Sequence, residues 1–152
     1  DRPICRGRSG RISVFPSERA RAGYLADEHD HDLSDLATYD DIRTAATDGS
    51  LRVDVTDDNV YVLTDIVDDL AEGPDALDRD QLALAVELLP DIGDHPEAPS
   101  VDATLATDAP PGRLIGCVLE PGSVSRPSAP FTDAVAQWES LETFVESRLR
   151  EE

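Results

Sequence analysis

The chain contains no lysine at all, and every one of its 13 basic residues is Arg. That absence removes Schiff-base and pyridoxal-type lysine chemistry, the phosphate-cradling lysine of a P-loop and the strand lysine of a kinase. Neither a G-x-S-x-G elbow nor a G-x-G-x-x-G turn is present to replace them. Met is also missing, and the first residue is Asp1, so the sequence reads as trimmed, processed or cut from something longer. The two cysteines, Cys5 and Cys117, lie too far apart for any zinc-knuckle spacing. Cys117 sits in the apolar run 114–119 and reads as a buried small hydrophobe, whereas Cys5 lies among Arg residues that favour a thiolate. Free thiols in a reducing compartment are the expectation, since nothing positive supports a disulfide between them. No apolar run approaches the roughly 18–20 residues that span a bilayer.

What is abundant is negative charge. Thirty-three Asp and Glu against 13 Arg give a formal charge of −20 on 152 residues. This composition resembles that of cytosolic proteins from extremely halophilic archaea, and the resemblance implies a high-salt cytosol. In molar salt the Debye length falls to about 3 Å, so repulsion among surface carboxylates is screened. Arg offers a weakly hydrated fork suited to ion pairs. Disorder fits poorly, because 39% of the residues are hydrophobic and they recur in periodic blocks. Against such a background, local departures from acidity carry more information than the net charge. The sharpest lies at the start: residues 1–21 hold six Arg against Asp1 and Glu18, a balance of +4, while the remainder runs −24.

The length suits a single domain, 1–152, with residues 1–10 as a basic N-terminal arm. Arg11–Phe15 reads as a short strand, and Ser17 as the N-cap of a helix that follows. A helical stretch over 33–47 ends at Gly49. Alternating Leu51–Thr56, the turn Asp57-Asp58-Asn59 and Val60–Leu63 together read as a β-hairpin. Thr64 caps a short helix to Glu72, and Asp78-x-x-Gln81 opens a largely apolar helix that Pro90 ends. Val101–Thr107 and Arg113–Glu120 read as a second strand pair, and residues 121–130 as a Pro- and Ser-rich connector. A C-terminal helix over 132–150 carries Val135, Trp138, Leu141, Val145 and Leu149 on one stripe. The fold class expected from this order is α+β (or α/β): one mixed, mainly antiparallel sheet with three to five packed helices. The recurrence of helix, strand pair and helix is read as ordinary alternation, not duplication.

Three constellations carry candidate chemistry. His29 and His31 stand in an acidic cluster, and His95 and Asp94 in another; if the two loops met they could hold a divalent metal such as Zn, Mn or Ni. The spacing fails the H-x-H-x-D-H box of metallo-β-lactamase-like hydrolases, because Leu33 and Ser34 fill its last positions. A solvated acidic loop is the plainer account. Arg6, Arg8 and Arg11, spaced by Gly and Ser, form the second candidate, suited to anions or to carboxylates of a partner or of the chain itself. Trp138 on its helical stripe is the third, either core or subunit contact. A winged-helix reading over 39–63 fails on charge, since Asp40, Asp41, Asp57 and Asp58 would face the phosphates.

With no catalytic signature, the leading expectation is a non-enzymatic regulatory or accessory module that binds a partner protein or itself. No cofactor is required by it. The rival is a metal-dependent or small-ligand-binding enzyme using the His29/His31 and His95 loops. A third reading, nucleic-acid binding through the Arg arm, runs against the overall charge.

Overall fold

The computed structural model describes residues 11–27, 31–93 and 101–152. Among them the chain is helical, and the expected antiparallel sheet is not there. Seven α-helices occur: α1 (Glu18–Ala26), α2 (Tyr39–Asp48), α3 (Ile66–Glu72), α4 (Arg79–Gly93), α5 (Val101–Leu105), α6 (Pro110–Leu119) and α7 (Thr132–Arg148). The strands among the described residues are β1 (Ile12–Val14) and β2 (Leu149–Glu151), paired in parallel with Ile12 opposite Leu149 and Val14 opposite Glu151. The α+β expectation is therefore corrected to a mostly helical fold with a minimal parallel sheet.

Two segments account for the correction. The sequence pattern predicts paired strands over 101–107 and 113–120, yet these residues form α5 and most of α6. A short apolar run such as Leu114–Leu119 does not separate strand from helix by periodicity. Pro110 and Pro111 stand at the first helical positions, where a missing N–H costs nothing, so they are compatible with the helix that packing selects. Burial of Pro111, Leu114 and Ile115 follows the helical repeat. Residues 51–63 form no strand among the described residues; a 3-10 turn at Asp57–Asn59 interrupts them, and the side chains from 54 to 62 are all exposed. Alternation describes a strand's faces, and only a neighbouring backbone makes it a sheet.

The chain divides into two compact units, residues 1–57 with 147–152, and residues 58–146. In the first, Ser17 Oγ accepts the N–H of Ala20 at 3.1 Å and starts α1. Gly49 ends α2 in the left-handed region at φ 78°, a conformation glycine adopts without steric cost. In the second unit, Asp78 Oδ1 accepts the N–H of Gln81 at 2.8 Å at the start of α4. That helix buries Leu82, Ala85, Leu89 and Ile92 and runs past Pro90, the residue expected to end it. Proline removes one helical N–H, and the burial of Leu89 and Ile92 on either side holds the last turn in place. The helices α4, α5 and α6 pack on one another. Their buried residues, with Ile66, Leu70 and the Ala134, Trp138, Leu141 and Val145 stripe of α7, form this unit's core. Close approach is enforced at Gly112, where a Cβ would lie 1.9 Å from the carbonyl oxygen of Ala106.

Candidate functional site

The residues singled out from sequence fall in very different places. His29, His95, Asp94, Arg6, Arg8 and Cys5 lie outside the described residues. Arg11 is exposed, immediately before β1. Among the described residues no group of three or more His, Cys, Asp or Glu could hold a metal ion. Trp138 is 1% exposed, in the core of the second unit, and its Nε1–H donates to Glu142 Oε1 at 3.1 Å. Cys117 is half-buried on α6 as a free thiol.

His31 is 5% exposed and belongs to an aromatic chain within the first unit. Phe15 meets Tyr24 at 5.1 Å between ring centroids, Tyr24 stacks on His31 at 5.6 Å, and His31 meets Tyr39 edge-on at 4.9 Å. Tyr39 Oη donates to the Leu25 carbonyl at 3.1 Å and lies 3.0 Å from His31 Nε2. With the phenol proton committed to Leu25, the imidazole Nε2–H is the donor and Tyr39 the acceptor. Burial pushes the Tyr39 phenol above its ordinary value, with the nearby Arg43 charge opposing. The backbone N–H of His31 donates to Ser34 Oγ, so the imidazole enters on a rigid 3-10 turn at Asp32–Asp35. Four rings thus link the end of β1, α1, the 3-10 turn and α2. Proximity in the sequence pairs His31 with His29; the signal for its packing role is Tyr39, eight residues on, at the start of a helix.

The features that sequence reasoning misses are on the surface. In the second unit Val60, Tyr61 and Val62 stand 44%, 40% and 42% exposed on consecutive positions outside any helix or strand. Three adjacent apolar side chains displayed this way are uncommon on a soluble surface. They are held by Gln81 on α4, whose Nε2–H donates to the Val62 carbonyl at 3.1 Å. The second feature is a shallow pocket of about 470 Å³ lined by Thr107, Asp108, Arg113, Val124, Ser125, Arg126 and Pro127. Arg126 pairs there with the exposed carboxylate of Asp75, which holds that carboxyl below its usual range. Nothing in either feature places a nucleophile beside a base.

The comparisons with known proteins agree with this architecture. The model of the SatS C-terminal domain matches residues 1–146. A solved structure, described as the crystal structure of the SatS C-terminal domain in complex with bromine, shares 70% sequence identity with a TM-score of 0.94. The match covers 100% of this chain and 82% of that one. No curated protein matches. No helix among the described residues is long and apolar enough to cross a membrane. The chain belongs to the SatS C-terminal domain family.

Proposed function

We propose that this domain is a non-enzymatic accessory module that binds a partner protein, and that Val60-Tyr61-Val62 is where the partner seats. The observation that carries this reading is the exposure of three consecutive apolar side chains on backbone that has no strand neighbour among the described residues. A run of apolar side chains displayed together suits burial against the apolar face of a partner. Tyr at the centre suits such a contact, because its ring buries area with little loss of rotamer freedom and its hydroxyl stays wet. The acid excess supports the same role by keeping the rest of the surface solvated and disfavouring nonspecific association. In a high-salt cytosol of the kind the composition suggests, the apolar contact strengthens while charge steering fades.

A photo-crosslinking residue at position 61 in the producing cell tests this. Discrete adducts are expected, and they should be lost when Val60 and Val62 are both replaced by Asp in the same chain. Light scattering after size exclusion separates a foreign partner from a second copy. The reading is overturned if position 61 gives no adduct and the purified chain is a monomer across the accessible concentration range.

A further inference from the structure

We infer that the pocket whose polar lining is Thr107, Asp108, Arg113, Ser125 and Arg126 binds a tetrahedral oxyanion of the phosphate class, held by its two Arg. The first ground is charge. The chain carries −20 overall, yet residues 103–131 hold two acids, Asp108 and Glu120, against two bases, Arg113 and Arg126. Both of those bases line the same shallow pocket.

The second ground is the state of the two guanidinium groups. They approach from different segments, Arg113 from the first turn of α6 and Arg126 from the 121–130 connector. Arg126 is engaged by Asp75. Arg113 is exposed, and no carboxylate of the described residues lies within ion-pair distance of it. Its backbone is fixed, the N–H donating to the Ala109 carbonyl at 2.9 Å, so the side chain leaves from a rigid helical turn. Asp108 lines the same concavity and Asp75 already engages Arg126, so an anion entering the pocket gains most from the Arg113 fork.

The third ground is donor geometry. A guanidinium fork grips two oxygens of an oxyanion at once. Two forks from separate segments suit an ion with three or four oxygens better than a carboxylate with two. The hydroxyls of Thr107 and Ser125 line the same pocket and add donors that turn freely toward an oxygen. The opening turn of α6 contributes little through its amides, since positions 110 and 111 are both Pro. The arginines are therefore the carriers of affinity.

The test uses the whole chain, ¹⁵N-labelled, titrated with inorganic phosphate at constant ionic strength, with sodium chloride as the matched control. Saturable shifts confined to residues 107–113 and 124–127 are expected, with a millimolar or tighter dissociation constant. Arg113→Gln and Arg126→Gln should each weaken binding about tenfold, the loss of a charge-assisted pair. Arg113→Lys, which keeps the charge and loses the fork, should fall between. Both positions are exposed, and an unchanged spectrum before titration verifies the fold of each variant. Titrating phosphoserine beside phosphate distinguishes an esterified ligand from the free ion, the tighter of the two being the natural form. Shifts that fail to saturate, that chloride reproduces, or that Arg113→Gln leaves unaltered would overturn the inference.

Discussion

Glu142 illustrates how one side chain can be both useful and costly. It accepts the Trp138 indole N–H at 3.1 Å, which satisfies a donor buried in the core. Burial raises its carboxyl above the ordinary 4.5, the Trp138 bond opposes that, and the carboxylates of Glu146, Glu139 and Asp68 raise it further. A carboxyl that holds its proton more tightly folded than unfolded favours the fold at low pH. That contribution is lost as the pH rises from about 4.5 through the folded value. At neutral pH the charge therefore opposes folding. Glu142→Gln keeps an oxygen for Trp138 and removes the charge. We expect it to be more stable at pH 7 by about 0.5 kcal/mol or less, given its partial exposure. Denaturant titrations at pH 7 and pH 4 check this: the gain should vanish at the lower pH, and a gain equal at both would assign it to something other than charge.

At the scale of elements, packing depends on glycines as much as on apolar stripes. The Cβ of Gly112→Ala would meet the Ala106 carbonyl at 1.9 Å and its carbon at 2.6 Å. Both are backbone atoms and cannot rotate aside, so α6 would have to move off α5. The expected loss is at the upper end of the roughly 1–3 kcal/mol typical of overpacking. Gly23→Ala is the contrasting case: among the described residues nothing beyond its own stretch of α1 lies within 4 Å of the added carbon, so a gain of about 0.5–1 kcal/mol is expected. Thermal unfolding of the two variants should move in opposite directions, and a shared direction would contradict the packing described. The same elements mark how far the sequence can be read. Ser17, Gly49 and Asp78 are legible because caps are local hydrogen bonds written in one or two residues. The helices over 101–105 and 110–119 are not, because an apolar run bounded by polar turns satisfies either period. The Pro pair at 110–111 suits a hairpin turn and a helix start alike, and only packing chooses between them. In the candidate site, His31 is visible by type but its neighbourhood is not, since its partners Tyr24 and Tyr39 come from two helices. The pocket at Arg113 and Arg126 joins residues 13 positions apart in a stretch with no motif, so only the folded chain brings it into view.

For the molecule as a whole, the strongest influence is the excess of charge. At −20, mutual repulsion disfavours the compact state and depends on ionic strength rather than on any one contact. Between about 0.1 and 1 M salt the Debye length falls from roughly 10 Å to 3 Å. The thermal midpoint should rise by ~5 °C over that interval in KCl and then flatten. A midpoint indifferent to KCl would mean that the acidic surface is already neutralised within the fold.

The parallel pairing of β1 with β2 also sets an order in time. Residues 12–14 and 149–151 come from opposite ends of the described chain, and both belong to the first unit. The second unit, residues 58–146, is continuous and has its full sequence available as soon as it emerges during synthesis. The first does not: its leading strand waits for a partner translated after every helix described here. While those helices are being made, Ile12–Val14 is therefore an open edge. The strand that closes it arrives only once the second unit is complete.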